Sequence, residues 1–384
     1  MNNILKVKEK CTGCTACVNS CSFNGISMQR DKLGFYYPSI DEKSCVNCGK
    51  CLKVCPVAED KERSDSRINA YYGAVLDKNV VASSSSGGAF TLMADYVIKN
   101  GGLVLGAIID YDELEVVYSS TDENDLDELR RSKYVSSFPK EIFKSVKTQL
   151  NEGRLVLFCG LPCHVDGLMS YLEKDYDNLI CVDFICGGVA SPKFFREHLS
   201  FLEEKYKAKV KKVNFRAKLC GWKEHSIKID FSNGKAYSSL ARFDSFFQGY
   251  FEKVYQRDSC YKCQYRLAHC SDIIIADYWG GLKKGRANDT GVSMVITNSR
   301  KGDEFFEKAL EGRDKEFTKM PLKDSDYVFK SETERYEKGN LRKKEFINLY
   351  DKFGFRKTTK KTYHLGLWKK KLRQKISKIL SKRR

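Results

Sequence analysis

The chain has 384 residues, which is enough for two or three domains with a sizeable core. Its hydrophobic content of 42% and mean hydropathy of −0.48 are typical of a protein in water, and no apolar run approaches the roughly 20 residues that span a bilayer. Fourteen of the net 18 positive charges lie in residues 352–384, which contain no acidic residue. The remaining +4 on residues 1–351 argues against an extended nucleic-acid face, so we expect no nucleic acid partner.

The first elements of the chain are two copies of one cysteine spacing, C-x2-C-x2-C-x3-C, and the second copy repeats the first at an offset of 34 residues. This is the bacterial ferredoxin run for a four-iron cluster, and the fourth cysteine of each run ligates the other cluster. The spacing therefore predicts two 4Fe-4S clusters. One is held by Cys11, Cys14, Cys17 and Cys55, and the other by Cys45, Cys48, Cys51 and Cys21.

Two other interpretations of these cysteines are weaker. Zinc knuckles also use C-x2-C pairs, but zinc needs neither the third cysteine in each run nor the trailing Pro56. A disulfide framework is not expected either, because nothing resembling a secretory leader precedes Cys11 and cytosolic thiols stay reduced. Cys21 is followed by Ser22 instead of proline, so the first run is less ideal than the second.

The rest of the chain predicts an α/β (α+β) protein with three parts. Residues 1–62 form a bacterial-ferredoxin-like module, in which 34–38 is a strand of the hairpin between the runs, and the charged segment 59–67 is a linker. Residues 63–326 form a larger mixed-sheet domain, and 327–384 a helical basic tail. The domain pattern alternates strands with helices. Predicted strands are 71–76, 103–110, 155–158, 179–184, 210–215, 226–231, 272–276 and 293–297, with helices at 89–99, 139–151, after Pro162 and after Pro192.

The tail has an amphipathic pattern. One helical face carries Trp368, Leu372, Ile376, Ile379 and Leu380, with lysines and arginines around it. This pattern is typical of an interfacial helix attracted to anionic lipid. A solvated basic tail is an equally good interpretation, and RNA binding is a weaker third because no aromatic platform accompanies the charge.

Several segments of the larger domain are candidate sites. The loop from Ser83 to Gly88 enters a helix, where free N–H groups suit a phosphate, although Ser/Gly runs are also flexible linkers. Cys163 lies at a strand-to-helix turn beside His164, and Cys186 ends the next strand. Cys260 and Cys263 form a C-x2-C pair that suits zinc, redox chemistry or a cluster. Cys163, Cys186, Cys260 and Cys263 are together enough thiols for a third 4Fe-4S cluster.

Six ordered segments carry a resemblance to a known family. They are SSSSGGAF (83–90), SKYVSS (132–137), FCGLPCHVDGL (158–168), DFICGGVASP (183–192), NFRAKLCGWK (214–223) and CYKCQYRLAHCSDIIIADYWG (260–280). With the ferredoxin head, they resemble the iron–sulfur flavoproteins of the coenzyme F-420 hydrogenase/dehydrogenase beta subunit family over nearly all of residues 1–300. The similarity is greatest to a bacterial branch often found with polysaccharide biosynthesis.

The resemblance implies cofactors and their ligands. It implies FAD near Ser84, Ser85, Ser86, Gly87, Gly88, Lys133, Tyr134, Ser137, Gly160 and Pro162. It also supports Cys163, Cys186, Cys260 and Cys263 as ligands of the domain's own cluster. Cys159 and Cys270 stand outside the expected pattern, although Cys270 could replace one of the four. The deazaflavin F-420 is the least transferable part of the family description.

These features predict an oxidoreductase. Electrons would pass from ferredoxin or a similar one-electron donor through the clusters and FAD to an organic substrate, such as a sugar or lipid-linked glycan, and reversed flow is equally allowed. His164 is the candidate proton donor, with a helix-start surface residue as the alternative. Rival functions are an electron-transfer subunit whose partner holds the substrate, and a membrane-docked scaffold with structural clusters. We expect a cytoplasmic protein, which would lie at the inner face of the cell membrane if the tail is the lipid-binding helix and not a solvated one.

Overall fold

A computed structural model describes residues 3–59, 65–123, 126–283, 289–313, 316–329 and 333–381, with the side chains of 282–283, 333–335 and 364–381 outside the description. The helices are α1 (Ala16–Ser20), α2 (Lys50–Lys53), α3 (Lys78–Ser83), α4 (Ala89–Lys99), α5 (Ile142–Asn151), α6 (Pro162–Leu172), α7 (Pro192–Tyr206), α8 (Ser245–Phe251), α9 (Asp258–Tyr261), α10 (Trp279–Lys283), α11 (Arg300–Leu310) and α12 (Thr333–Ser381). The strands are β1 (Ile26–Arg30), β2 (Tyr36–Ile40), β3 (Asn69–Gly73), β4 (Leu103–Asp110), β5 (Glu115–Thr121), β6 (Ser137–Phe138), β7 (Val156–Cys159), β8 (Leu179–Phe184), β9 (Val210–Ala217), β10 (Ser226–Phe231), β11 (Ala236–Leu240), β12 (Ile273–Asp277), β13 (Ser293–Thr297) and β14 (Phe317–Met320).

The N-terminal module consists of the two cysteine runs and the antiparallel hairpin β1–β2. Each run turns tightly into a short helix, and the residue before each helix has a positive φ: 65° at Thr15 before α1 and 75° at Gly49 before α2. Ile4, Val7 and Ile26 form the small core of the module together with cluster cysteines. The ferredoxin-like module predicted from the spacing is therefore confirmed.

The larger domain is built on a nine-stranded mixed sheet in the order β14-β3-β13-β12-β8-β7-β4-β5-β6. Its centre is parallel, since β4, β7, β8 and β12 run in one direction. Strand β13 pairs antiparallel with β12, and β5 pairs antiparallel with β4. The predicted mixed-sheet α/β class is confirmed, and the central strands are mainly apolar because helices cover both faces.

The two faces of the sheet bury alternate side chains of the same strands. Val104 and Leu157 point to the face covered by α4 and α11. Leu105 and Phe158, one residue further along each strand, pack under α5 and α6 on the opposite face. This alternation explains why β4 and β7 lack polar residues at these positions.

A second, three-stranded sheet in the order β11-β10-β9 packs with α7 and α8. Its core is rich in phenylalanine, including Phe195, Phe215 and Phe246, all of which are buried. The hairpin residues Leu33 and Phe35 join the same core, so the N-terminal module is packed into the larger domain.

The last helix changes direction once and packs on α7, α8 and α9. At Gly354 the backbone leaves the helical region, with φ of 71° and ψ of 169°. Phe346 and Phe355 stack around Phe194 of α7. The helical tail is confirmed, but the face that was predicted to bind lipid, with Trp368, lies outside the described side chains. Among the described residues, no helix is both long and apolar enough to cross a membrane.

Some predicted bounds are corrected by the structure. The strand predicted at 71–76 is β3, which ends at Gly73 because Asp77 caps α3 a few residues later. The helix predicted from 139 begins at Ile142. The hairpin strand predicted at 34–38 is β2, which spans Tyr36–Ile40, and strands β5, β6, β11 and β14 were not predicted.

Candidate iron–sulfur and cofactor site

The first set of thiols surrounds a small cavity at the surface of the module. Its wall contains the four cysteines that the crossed ligation rule groups together, namely Cys21, Cys45, Cys48 and Cys51. Cys48 is exposed, and the neighbouring side chains of Phe23 and Val46 are also exposed. The structure therefore brings these four thiols together beside solvent.

The second set lies deeper. Burial, together with the nearby Cys55 and Cys11, raises the pKa of the Cys14 thiol to about 12. The pKa of Cys17 is also raised, first by burial and then by Cys14, Cys11 and Cys55. These mutual effects require all four thiols to be close. Since neighbouring protein groups disfavour the thiolates, a bound cation would be needed to stabilise them.

The third set is assembled by three separate segments of the larger domain. Cys163 lies in the first turn of α6, Cys186 follows β8, Cys260 lies in α9, and Cys263 follows it. Burial raises the pKa of Cys163 well above its usual range, and Cys263, Cys186, Cys260 and Cys14 raise it further. The predicted four thiols are thus neighbours, and Cys14 of the second set is next to them.

The donor chemistry of the three sets fits four-iron clusters. Within the part of the chain that the structure describes, no three His, Cys, Asp or Glu side chains have the compact arrangement of a single metal ion. A tetrahedral zinc site would require such an arrangement, with thiolates about 2.3 Å from the metal. Groups of four cysteines are instead the usual ligands of 4Fe-4S clusters, which are larger than one ion.

The cysteines outside the pattern occupy other places. Cys159 lines the cofactor cavity described next, and burial raises its pKa to about 12. Cys270 packs beside the core on the α5–α6 face of the sheet and interacts with Cys181. The possibility that Cys270 replaces a ligand of the third set is therefore not supported by its position.

A larger cavity opens at the carboxyl ends of the parallel strands, the edge where α/β sheets bind ligands. Eight of the ten predicted FAD residues lie in its wall, namely Ser84, Ser85, Ser86, Gly88, Lys133, Tyr134, Ser137 and Gly160. Gly87 lies behind the wall, because its N–H donates to the Ser293 hydroxyl and a Cβ would meet the Gly73 oxygen at 2.4 Å. Pro162 is buried in the first turn of α6.

Hydrogen bonds hold the serine loop against the sheet. The Ser132 N–H donates to the Ser85 hydroxyl at 2.8 Å, and the Ser86 hydroxyl donates to the Val292 oxygen at 2.7 Å. Lys218 donates to the Ser86 oxygen at 2.8 Å. A flexible linker would lack such hydrogen bonds, so the loop is an ordered part of the cavity wall.

Two basic side chains line the cavity. The Lys133 ammonium donates to the carbonyls of Glu128, Leu129 and Arg130, and burial lowers its pKa to about 7. The Arg216 guanidinium is bound by Asp277 at 2.9 Å and by the Tyr134 hydroxyl at 3.2 Å. Positive groups beside a loop of hydroxyls are suited to the phosphates of a nucleotide cofactor.

His164 is fully buried and does not lie in the wall of the cavity. Its Nδ1 is 3.1 Å from the hydroxyl of Tyr118, a residue that does line the cavity. Burial lowers the pKa of His164 to about 3, so the ring is neutral at ordinary pH. The alternative of a surface residue is wrong, while the role of proton donor stays a prediction that these surroundings do not favour.

The sequence did not single out Arg216, Asp277 or Arg257, which the structure places beside the cavity or the thiol sets. The first two lie within the segments NFRAKLCGWK and CYKCQYRLAHCSDIIIADYWG, but nothing in either segment assigns them a role. Arg257 has no motif at all. Its contacts with Cys11 and Tyr36, 246 and 221 residues earlier in the chain, appear only in the folded structure.

The fold and the site together define an iron–sulfur protein with a cofactor cavity on an α/β sheet. Family models support this class. The model that describes the C terminus of the coenzyme F420 hydrogenase/dehydrogenase beta subunit matches residues 153–323, and two 4Fe-4S dicluster domain models match 10–58 and 37–85. The chain therefore joins a 4Fe-4S dicluster domain to a domain of the F420 hydrogenase/dehydrogenase beta subunit family, which confirms the family predicted from the sequence.

Individual proteins resemble this chain at low sequence identity. An uncharacterised protein of Methanocaldococcus jannaschii is 23% identical over 348 residues, covering 79% of this chain and 87% of that protein. The coenzyme F420-dependent sulfite reductase of the same organism is 24% identical over 366 residues, covering 88% of this chain but only 52% of the reductase. A chain of the F420-reducing [NiFe] hydrogenase complex from Methanosarcina barkeri superimposes with a TM-score of 0.47 at 15% identity, over 77% of this chain and 96% of that one.

Proposed function

We propose that this protein is an iron–sulfur flavoprotein oxidoreductase, which transfers electrons between ferredoxin or a similar one-electron carrier and an organic substrate. Three 4Fe-4S clusters and FAD would be its cofactors. The clusters supply one-electron transfer, and the flavin supplies the coupling of single electrons to two-electron chemistry. This chemistry allows electrons to flow in either direction, from the carrier to the substrate or from the substrate to the carrier.

One observation carries the proposal: the three thiol sets form a continuous series from the surface to the cavity. Cys48 of the first set is exposed. Cys51 of the first set and Cys17 of the second lie in one small core and interact electrostatically. Cys14 then lies next to Cys163 of the third set, and Cys186 of that set lines the cavity.

The cavity supports FAD through the chemistry of its wall. Ser84, Ser85 and Ser86 offer hydroxyls, and Arg216 offers positive charge at the same end of the sheet. These groups would bind the pyrophosphate. The face of the cavity near Cys186 would then be left for the redox ring of the cofactor.

The proposal extends to the chemical class of the substrate and to the cellular location of the protein. The bacterial branch that the sequence resembles suggests a sugar or lipid-linked glycan as substrate. We infer a cytoplasmic protein, with the basic tail binding anionic lipid beside such intermediates. Because a relative is named for coenzyme F420, the reduced deazaflavin is a further electron donor to assay.

The proposal is tested by the cofactor content of anaerobically purified full-length protein. We expect about twelve iron atoms per chain, four for each cluster, and about one flavin. Cys163→Ser should lower the iron content to about eight, whereas Cys270→Ser, which changes a thiol outside the three sets, should leave it at about twelve. Colourless protein that contains zinc would contradict the proposal.

A second candidate function is that of an electron-transfer subunit with its substrate site on a partner. The observation that favours it is the length of the sulfite reductase relative, of which this chain covers 52%. This alternative predicts the same clusters and flavin. It also predicts that the isolated chain exchanges electrons with ferredoxin but turns over no small molecule, whereas sugar reduction by the isolated chain would exclude it.

A further inference from the structure

A buried arginine lies between the second and third thiol sets. Arg257 immediately precedes α9 and is 1% exposed. Its Nε donates to the backbone oxygen of Cys11 at 2.7 Å, and its Nη2 donates to the backbone oxygen of Tyr36 at 2.7 Å. Nη2 is also 3.5 Å from the Cys11 Sγ atom, within the distance of a hydrogen bond to sulfur.

This cation has an unusual set of partners. Among the described residues, no carboxylate lies within 4.0 Å of its guanidinium nitrogens, and Asp258 next to it forms an ion pair with Lys343 instead. The acidic groups that raise the pKa of Arg257 are the thiols of Cys11 and Cys260 and the Tyr37 hydroxyl, and the Cys11 thiol also accepts a hydrogen bond from it. A fully buried charge is costly unless an opposite charge compensates it. The thiolates of the two sets are therefore its natural counter-charges.

The position of the guanidinium is fixed by its surroundings. The Tyr37 ring lies 4.2 Å and the Phe35 ring 5.6 Å from the guanidinium carbon. Gly13 lies against another side, where a Cβ would come within 3.1 Å of Nη1. Gly13 also has a positive φ of 76°, so a larger residue is disfavoured there for two reasons. The charge cannot move away from the thiols.

We propose that Arg257 is a positioning residue for electron transfer, a fixed positive charge shared by the cluster on Cys11, Cys14, Cys17 and Cys55 and the cluster on Cys163, Cys186, Cys260 and Cys263. A nearby positive charge and a hydrogen bond to sulfur both favour the reduced, more negative form of a cluster. Arg257 thus raises the reduction potentials of these two clusters together. This inference rests on the proposed function, because it requires both clusters.

The test is a redox titration followed by electron paramagnetic resonance on full-length protein and three variants. Arg257→Met removes the charge and the donors, Arg257→Gln keeps a polar donor without the charge, and Arg257→Lys keeps the charge. We expect Met and Gln to disfavour reduction of both clusters by about tenfold, which is about 59 mV for a one-electron couple. Lys should restore at least half of that shift. The cluster on Cys21, Cys45, Cys48 and Cys51 should be unchanged.

Arg30→Met is the matched control, since Arg30 is an arginine of the same module that pairs with Glu115 at 2.7 Å instead of with thiols. It should leave all three potentials unchanged. Unchanged potentials in Arg257→Met or Arg257→Gln with full iron content would overturn the inference while leaving the proposed function intact. If the Arg257→Met variant loses iron, the potentials of the Arg257→Gln and Arg257→Lys variants test the inference. Loss of iron from all three variants would show a structural role for Arg257 and would also overturn the inference. Wild-type protein without clusters would overturn the proposed function itself.

Discussion

Gly167 of α6 lies directly against Cys14, and adding one methyl group there should push the two apart. A Cβ at this position would lie 2.7 Å from both Cβ and Sγ of Cys14. Favourable carbon contacts need about 3.5–4.0 Å, so α6 or Cys14 must move by about 1 Å. Cys14 cannot retract when its sulfur is held by a cluster.

The expected magnitude follows from two opposing effects of Gly167→Ala. Alanine is favoured over glycine inside a helix by about 0.8–1.0 kcal/mol. Overpacking of a tight contact costs about 1–3 kcal/mol. We expect overpacking to win because backbone-anchored atoms of Cys14 are the obstacle, so the free energy of unfolding should fall by about 1 kcal/mol. Iron should also be lost faster from the cluster that Cys14 ligates.

Anaerobic chemical denaturation and the rate of iron release to a chelator measure the two effects. Ser170→Ala on the same helix is the matched control, because it adds helix propensity without the clash and should be neutral or slightly stabilising. In a Cys14→Ala background, Gly167→Ala should cost less, because the Sγ atom is absent. If Gly167→Ala were more stable than the wild type and released iron at the same rate, Cys14 would not be fixed against α6 as the structure indicates.

Three further predictions concern the histidine, the cavity and the tail. Because the pKa of His164 is about 3 in the folded protein and near 6.5 when unfolded, the unfolded state binds more protons between these values. His164 should therefore make the free energy of unfolding fall by about 1.4 kcal/mol per pH unit as pH drops below 6.5. His164→Gln should show a shallower decline in anaerobic denaturation at pH 5 and 7, and an unchanged slope would contradict the burial. Arg216→Met should weaken flavin binding about tenfold or more in equilibrium dialysis, through loss of a charge-assisted phosphate contact. Arg300→Met, whose arginine is 91% exposed, should not change it. Removal of residues 365–384 should abolish flotation with anionic vesicles but not change cofactor content, and equal flotation of both forms would refute lipid binding by the tail.

The strands that the sequence predicted best are those whose signal is local. The bounds of β4, β8, β10 and β13 match the prediction, because each is a run of mainly apolar or alternating residues between turn residues. Strand β11 (AYSSL) is mostly polar and at the edge of the small sheet, and β14 is a four-residue edge strand. Their strand conformation comes from pairing with β10 and β3, which no local pattern reveals.

In the candidate site, too, the features with a local sequence signal were predictable and those that depend on long-range contacts were not. The eight N-terminal cysteines were predictable because ligand spacing is a local property. The grouping of Cys163 with Cys186 depends on β7 and β8 being neighbouring parallel strands, so that the turns after both lie at one edge of the sheet. The contact of Arg257 with Cys11 depends on how the module docks, and it has no trace in the spacing of either segment.

The loop from Cys186 to Ser191 serves both halves of the molecule. Its first residues line the cavity, and the Ala190 N–H donates to the carbonyl of Tyr134 in the cavity wall. Its last residue, Ser191, donates its hydroxyl to the backbone oxygen of Leu33 in the β1–β2 hairpin at 2.5 Å. An engineered chimera with a foreign ferredoxin in place of the module would need a hairpin carbonyl at the same point. Without that carbonyl, Ser191 would lose its hydrogen-bond acceptor and the loop that lines the cavity would change shape. The module and the larger domain must therefore be redesigned as one unit.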